Sequence, residues 1–455
     1  MTTYSLPDKA QQFLDILHKA GYEAYGVGGS IRDLLMNQPT HDWDFTTNAT
    51  PEEILKLFPD GFYNNTFGTV GVPVKSSKLE DEEEVTEVYE ITTYRTEHGY
   101  SDNRRPDTVA WGKSLEEDLA RRDFTVNAIA YDGKTFIDPF GGRSDIEKRT
   151  LRAVGNPDER FKEDALRLMR AVRFAAQLAF IIEEKTFQSM VNDAPRIQAI
   201  SKERVHDEIV KIMASNYPAD GVMLLKNSGL LKEILPEVDV CFDTPQESPK
   251  RHHKYDVGTH LVKSLQYCPS ADPIVRFATL VHDIGKAPTF KRTPEGVITF
   301  YNHELVGAKM VEQIVRRLRF SKKDAEKIVR LVRWHQFTVD EHQTDSALRR
   351  FIKNVGKENL EDMLALRTGD RLGGGARETS WRLELYKKRL DEVQIQPFSV
   401  ADLKVNGNDV IEVLKIKPGP TIGKVLNALF AEVEEDKEKN NREYLLKRIP
   451  EIHSI

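Results

Sequence analysis

The amino-acid sequence predicts an α/β N-terminal section followed by an all-α remainder. Three observations carry this. Strand-like runs are confined to the first 150 residues. From about residue 155 onward, apolar residues recur with a 3.6-residue period and strand signals are few. The hydrophobic fraction is 39% and the charged fraction 30%, enough to build packed cores and too apolar for a disordered chain. At 455 residues, about three domains are expected.

The elements follow in order. Residues 8–20 read as a helix whose apolar side is Phe13, Leu14, Ile16 and Leu17. Ala24–Val27 reads as a strand running into Gly28 and Gly29, then Ile31–Met36 as a helix, then Asp42–Thr46 as a second strand. Thr50-Pro51-Glu52-Glu53 starts the next helix, with a hydroxyl cap, proline at the first helical position and glutamate at the third. Further strands are expected at Thr69–Val74, Thr86–Tyr94 and Thr108–Trp111. The acidic run Glu80 to Glu84 reads as a solvated hairpin tip. In the helical part, breaks fall near Asn216–Gly221, Asp243–Pro249, Gly373–Gly375 and Ile395–Pro397; Asp243–Pro249 is the most linker-like. No internal repeat or low-complexity segment is evident.

Composition excludes several classes. Lys and Arg number 66 and Asp and Glu 72, a net charge of −6. That argues against a uniform cationic coat for nucleic acid and leaves a local basic groove open. Two cysteines, Cys241 and Cys268, exclude a disulfide scaffold and a Cys-rich zinc module and fit a reducing, cytoplasmic setting. The N-terminus MTTYSLPDKAQQFLDIL does not read as a secretory signal. No apolar run approaches the length of a membrane span, so no membrane partner is expected.

The first chemical pattern is Gly28-Gly29-Ser30-Ile31-Arg32-Asp33, where a strand becomes a helix. Glycines let backbone approach a ligand, a helix start presents unpaired N–H groups to an anion, and Arg32 adds a forked cation. Ten residues after Arg32 comes Asp42-Trp43-Asp44. Alternate strand residues share a face, so both carboxylates point one way, an arrangement that a hard cation such as Mg²⁺ relieves. Two such ions can hold a nucleoside triphosphate and activate an attacking hydroxyl.

GGSIRD followed by DWDFTT resembles the catalytic head of class II tRNA nucleotidyltransferases, the family of bacterial CCA-adding enzymes and poly(A) polymerases. Later segments fit in the family's order. Arg95 to Pro106, with Tyr100, Asp102, Arg104 and Arg105, resembles its flexible loop. Leu119 to Ala128, Asp138 to Gly142, Glu163 to Arg167 and Ser201 to Val205 resemble its successive motifs. The resemblance covers at least residues 20–215. It implies a nucleotidyltransferase head, a small mixed β-sheet with helices over residues 1–150. It further implies a helical neck and body over 151–245 that selects nucleotides and binds RNA.

Residues support this. Asp164, Arg167, Arg170 and Arg173 recur every third position on a predicted helix, forming a slanting polar stripe. In the family, the matching Asp and Arg pair with the edge of the incoming base in place of a template. The resemblance therefore implies that Asp164 and Arg167 select C or A. It gives Asp42 and Asp44 the Mg²⁺, Gly29, Arg32 and Arg122 the phosphates, with Arg122 beside the chemistry, and Arg170 and Arg173 the triphosphate or its surroundings. Asn127 is a further candidate on the nucleotide side. CTP, ATP and tRNA are the implied partners, the RNA being recognised by shape along its acceptor arm.

The C-terminal half carries another pattern: His260, His282-Asp283-Ile284-Gly285-Lys286, His303, His335 and Asp370. Adjacent imidazole and carboxylate are good ligands for a divalent metal. The pattern resembles the HD phosphohydrolase superfamily, an all-helical metal-dependent fold, over residues 250–375. The resemblance implies His260, His282, Asp283 and Asp370 as ligands, with His303 and His335 where two-metal members carry more. A divalent transition metal suits imidazole-rich ligation better than Mg²⁺, and phosphoester hydrolysis is the expected chemistry. His252 and His253 read as loop residues. Gly285 is expected to end the helix and bring Lys286 near the site.

Lys417-Pro418-Gly419-Pro420 precedes a predicted helix and resembles the tail of Gram-positive-type family members, implying tRNA binding over 380–455. The closing helix is expected over Val425–Ile449. CCA addition to tRNA with a second, hydrolytic activity is the leading expectation. Alternatives are a poly(A) polymerase, an enzyme adding only CC or only A, or an HD phosphohydrolase whose head binds RNA.

Overall fold

The computed structural model describes residues 4–40, 42–63, 68–75, 86–98, 108–111, 114–247, 255–337, 339–340, 342–376, 380–394 and 400–454. Glu80–Glu84, Tyr100 to Pro106 of the expected loop, and His252 and His253 lie outside the described residues. The chain divides into two compact units. The first comprises residues 1–240 with 316–320, and the second 241–315 with 321–455. Among the described residues, no helix is long and apolar enough to cross a membrane.

The first unit begins with the Asp8–Lys19 helix. Strands follow at Ala24–Val27 (β1), Asp44–Thr47 (β2), Phe62–Tyr63 (β3), Thr69–Lys75 (β4), Thr86–Thr93 (β5), Arg95–His98 (β6), Thr108–Trp111 (β7), Ala130–Tyr131 (β8) and Phe136–Ile137 (β9). Seven form one sheet in the order β3-β4-β5-β2-β1-β8-β9, and β6 pairs with β7 separately. The sheet is mixed: β2 runs parallel to β5, and the other pairs are antiparallel.

One face of the sheet is closed by aromatic packing. Phe13 from the first helix stacks on Phe45 at 5.6 Å and Phe58 at 4.8 Å, and meets Tyr89 edge-on at 5.1 Å. Ile31, Trp43, Ile54 and Ile91 complete that core. The Pro51–Leu57 helix starts with the expected capping box: Thr50 accepts from Glu53 N, and Glu53 accepts from Thr50 N. Beyond residue 155 the unit is helical, apart from the short Ile181–Ile182 strand, which pairs in parallel with Thr150–Leu151.

The second unit is built from helices, among them Val257–Tyr267, Pro273–Val281, all but the last two residues of His303–Arg317, Lys322–Trp334 and Leu360–Gly373. A small Lys291–Arg292/Ile298–Thr299 hairpin interrupts them. The Val425–Ile449 segment, expected as one helix, is two: Pro420–Glu435 and Arg442–His453. Asp436 stops the first, and Asn441 caps the second by accepting from Glu443 N, so the break carries its own local hydrogen bonds. Leu426, Leu429, Val433, Leu445 and Ile449 pack the two together.

Candidate functional site

At the end of β1 the chain enters the Gly29–Leu35 helix through Gly28, whose φ is 77°. A Cβ at Gly28 would stand 3.2 Å from Arg122 Nη1 and 3.3 Å from Asp44 Oδ2. Glycine here thus permits both a left-handed backbone and the close approach of Arg122 and Asp44. β2 starts at Asp44 rather than at Asp42, so Asp42 immediately precedes the strand. Trp43 between them is 2% exposed and packs in the core, which leaves the two carboxylates on the opposite side.

Glu90 joins them. It stands opposite Asp44 in the parallel register of β2 and β5. Burial pushes the Asp44 carboxyl up to about 6; Arg122 pulls it down, and Glu90 and Asp42 push it further up. Carboxylates gathered around one guanidinium are a donor set that suits a hard divalent cation.

Arg122 is held from behind. Its Nη2 donates to Asp118 Oδ2 at 3.4 Å and its Nη1 lies 3.5 Å from the Asn127 carbonyl. Asp118 is fully buried, also accepts Arg121 at 2.7 Å, and is kept below the usual carboxylate range by Arg121 and Arg122 against the opposing push of burial. Arg32 is buried too. It donates to Asp33 and to Asn127 Oδ1, each at 2.8 Å. Asn127 in turn donates to Asp123 Oδ1 at 3.1 Å, and Asp123 Oδ2 takes Arg170 Nε at 2.7 Å. Arg32, Asn127, Asp123 and Arg170 thus form one continuous chain. Arg173 pairs with Glu208 at 2.8 Å. The guanidiniums of Arg32, Arg170 and Arg173 all lie over the Phe174 ring, at 5.3, 5.2 and 4.3 Å, a cation–π arrangement that offsets part of their mutual repulsion.

Asp164 is not on the helix that carries the arginines. One helix ends at Glu163 and the next begins at Leu166. Asp164 sits in the break, its Oδ1 accepting from Leu166 N at 2.9 Å and its Oδ2 taking Arg204 at 3.0 Å. A short carboxylate competes well for unpaired N–H groups at a helix start, so aspartate makes a boundary here rather than a helical position. Arg167 is on the helix. It donates to Glu163 at 2.6 Å and to the Arg121 carbonyl at 2.9 Å. Sequence reasoning missed Glu90, whose place depends on strand register, and Glu208. Asp118 was visible in principle, since its spacing to Arg121 and Arg122 is that of helical neighbours.

In the second unit, His260, His282, Asp283 and Asp370 bring one ligand atom each within 4.8 Å of one another, and Asp283, His303 and His335 do the same. Asp283 is common to both groups. His260 Nε2 lies 3.3 Å from Asp283 and 3.2 Å from Asp370. His303 and His335 point Nε2 at the other Asp283 oxygen, at 3.2 and 3.3 Å. His282, His303 and His335 each have Nδ1 on a backbone carbonyl three residues earlier, at 2.7, 2.9 and 2.7 Å. A carbonyl can only accept, so Nδ1 carries a proton and Nε2 is the nitrogen that faces the carboxylates, where it can bind metal once deprotonated. Both His260 nitrogens, His282 Nε2 and Asp283 Oδ1 are buried without a hydrogen-bond partner. This donor set fits divalent metal.

Burial opposes the charge on these histidines, yet His260 and His282 are shifted up by Asp283 and Asp370, His282 to about 10, and His303 is shifted up by Asp283. Both carboxyls lie well below their ordinary value. His335 is pushed down by burial. Lys286, near the site as expected, bonds Asp283 at 2.6 Å and Gln246 at 2.7 Å. The preceding helix ends at Val281, however, and Gly285 is right-handed at φ −64°. Gly285 is glycine for another reason: a Cβ there would overlap the His303 carbonyl. A cavity of about 300 Å³ opens onto the cluster, lined also by Tyr301 and Arg367.

Comparison with known proteins gives a consistent result. The Poly A polymerase head domain model matches residues 24–152, the "Probable RNA and SrmB- binding site of polymerase A" model 179–242, and the tRNA nucleotidyltransferase domain 2 model 297–449. The chain is 34% identical to the CCA-adding enzyme of Ligilactobacillus salivarius, over 99% of both chains. It is 48% identical to that of Geobacillus kaustophilus over 47% of this chain and 51% of the relative, so there it spans about half the relative's length. The crystal structure of the Bacillus stearothermophilus CCA-adding enzyme in complex with CTP superposes with a TM-score of 0.68 at 28% identity, covering 97% of this chain and 96% of that one.

Proposed function

The chain belongs to the family of CCA-adding enzymes, and on that premise we propose that it adds C, C and A to the 3′ end of tRNA from CTP and ATP, without a nucleic-acid template. The observation that carries the reading is the meeting of Asp44, Asp42 and Glu90 with Arg122 beside the Gly28 turn. The terminal ribose hydroxyl attacks the α-phosphate of the incoming nucleotide, and pyrophosphate leaves. Asp42 and Asp44 would hold Mg²⁺, which when bound neutralises the phosphates and eases loss of the hydroxyl proton. Arg122, positioned by Asp118, meets the triphosphate together with the backbone at Gly29. Arg32, Asn127 and Arg170 brace that wall, and Arg173 supports it through Glu208. Asp164 and Arg167 read the base edge, oriented by Arg204 and Glu163. Residues 1–150, 151–245 and 380–455 serve as head, neck and body, and tRNA-binding tail. The scarcity of cysteine, two in 455 residues, supports a cytoplasmic location.

The test offers the chain tRNAs ending before CCA, after C and after CC, with CTP and ATP separately and together. CTP incorporation into the first tRNA that stops before A without ATP supports the reading. Growth of an A homopolymer from ATP alone would replace it with poly(A) synthesis, and arrest after CC with partial addition.

A second activity is supported by the His–Asp cluster over residues 250–375. His260, His282, Asp283, His303, His335 and Asp370 would hold a divalent transition metal such as Mn, Co, Ni, Fe or Zn, which when bound activates water for phosphoester hydrolysis. Clearing a phosphate from a damaged RNA end before nucleotide addition would join the two activities. Asp283→Ala is expected to abolish metal-dependent phosphatase activity, and hydrolysis that persists in this variant would remove the ligand assignment.

A further inference from the structure

The hydrogen-bonded chain from Arg32 through Asn127 and Asp123 to Arg170 has two cationic ends, and both lie over one ring. The Phe174 ring centre is 5.3 Å from the Arg32 guanidinium and 5.2 Å from that of Arg170. The ring thereby closes the chain into a circuit. Helical spacing accounts for Arg170, which precedes Phe174 by four residues on the Leu166–Leu178 helix. It does not account for Arg32, which arrives from the Gly29–Leu35 helix. Phe174 itself is 7% exposed and meets the fully buried Phe124 ring edge-on at 5.8 Å, so packing fixes its orientation. Phe124 is tied to the same circuit, its backbone N–H donating to Asp123 Oδ1 at 2.8 Å.

The circuit joins two walls of the head site. Arg32 stands on the helix that follows the Gly28 turn, beside which Asp44 and Arg122 meet, and that helix also carries Gly29. Arg170 stands on the helix that carries Arg167 three residues earlier. Hydrogen bonds hold each guanidinium by its N–H groups: Arg32 on Asp33 and Asn127, Arg170 on Asp123. The ring acts differently, because its quadrupole attracts each cation as a whole. Arg32 is 8% exposed, and desolvation puts such an attraction toward the strong end of its range. A leucine at position 174 would fill much of the same space and offer neither guanidinium a π face. Phe174 is therefore a contact shared by both helices whose chemistry, beyond its volume, matters to the spacing between them.

Resting on the reading of this site as the place of nucleotide addition, we propose that Phe174 is a positioning residue for that reaction. By attracting Arg32 and Arg170 to one π face system, it holds the phosphate-binding wall at the distance from Arg167 that a nucleoside triphosphate spans. Phe174 touches neither phosphate nor base; it acts through the two arginines. The role predicts a division between ligands. CTP meets both walls, so its binding depends on their spacing. Inorganic triphosphate meets the phosphate wall alone, so its binding does not.

The test replaces Phe174 in the full chain by mono-, di- and trifluorinated phenylalanine, and separately makes Phe174→Leu. Fluorine withdraws electron density from the ring face with little change of shape, so a ring that serves only as packing is left intact. Calorimetric titration of the Mg²⁺-loaded proteins with CTP gives its affinity, and displacement of bound CTP by inorganic triphosphate gives that of the phosphates at the same site. CTP affinity is expected to fall stepwise with fluorine number, by about tenfold for the trifluorinated ring and for Phe174→Leu, the effect of losing a desolvated cation–π contact. Inorganic triphosphate is expected to bind unchanged throughout. A CTP affinity flat across the fluorinated series overturns the proposal, and so does equal weakening of inorganic triphosphate. If Phe174→Leu does not fold, the fluorinated series decides alone. Addition of C to tRNA lacking CCA is followed in the same proteins. A wild type that binds CTP and adds no nucleotide removes the reading of the site, while the titrations still decide whether the ring aligns the two walls; a wild type that binds no CTP overturns both.

Discussion

The Asp123 carboxylate takes the Arg170 guanidinium at 2.6 Å on one oxygen and the Asn127 carboxamide at 3.1 Å on the other. Burial alone would raise its pKa, but Arg170 and Asn127 outweigh it and hold the group at about 2. A carboxyl depressed in the folded state stabilises it above the unfolded value of about 3.9, and that stability is lost as pH falls toward 2. Asp123→Asn should therefore cost about 2 kcal/mol at pH 7. The gap from wild type should narrow between about pH 4 and 2, as read by urea unfolding of both proteins across that range.

Arg173 and Glu208 are 7% and 3% exposed and pair at 2.8 Å. Glu208→Leu leaves a buried guanidinium uncompensated and should destabilise by about 3 kcal/mol, whereas Arg173→Met with Glu208→Leu should recover most of that loss. Denaturation midpoints of the two single variants and the double variant give the coupling. Simple addition of the two single losses would remove the pair's isolation in the core.

Asp44→Asn keeps the shape of the head site and removes charge that a cation needs. Nucleotide addition should fall by at least about two orders of magnitude, in line with loss of one electrostatic contact to a transition state. Circular dichroism should be unchanged. Wild-type rates in this variant would move the metal away from Asp44.

Arg204→Ala frees Asp164 from its ion pair without touching Asp42 or Asp44. Incorporation of C and A should lose selectivity over U and G by about tenfold, with a smaller change in the rate of correct addition. Competition between labelled CTP and UTP on tRNA lacking CCA measures the ratio.

The second unit should respond to metal in ways independent of turnover. Adding Mn²⁺ or Co²⁺ to chelator-treated protein should raise thermal stability by about 3 kcal/mol at a hundredfold excess over Kd. Because His260, His282 and His303 are shifted up by the carboxylates, metal must displace protons from them. Binding should therefore release protons near pH 7 and tighten as pH rises. His303→Ala should reduce both signals; identical melting curves with and without metal would end the assignment.

Much of this was legible in linear order. The β1 strand and the capping box at Thr50 follow from local pattern, because a cap and a short apolar run are decided by neighbouring residues. Asp42 and Asp44 were legible as a pair because strand alternation is fixed at two. The six His and Asp residues that the fold gathers into two groups sharing Asp283 were legible by residue type and family resemblance, although they are spread from 260 to 370. Asp164 was misplaced on a helix, since its preference for capping Leu166 competes with a periodicity that continues through it. The tail helix was drawn too long for the same reason: Asp436 and Asn441 end and restart it locally.

Residue chemistry and spacing along the chain thus determined which groups could hold phosphate or metal, because those depend on side-chain type and on distances of a few residues. Tertiary structure alone decided which of them meet. Glu90 reaches Asp44 only through the parallel register of β2 and β5. Asp123 reaches Arg170 across 47 residues and Arg173 reaches Glu208 across 35. Asp283 meets His260, His303, His335 and Asp370 only because helices distant in sequence converge on it. Such pairings are set by packing and by the requirement that a buried charge find its partner, and no periodicity in the sequence records them.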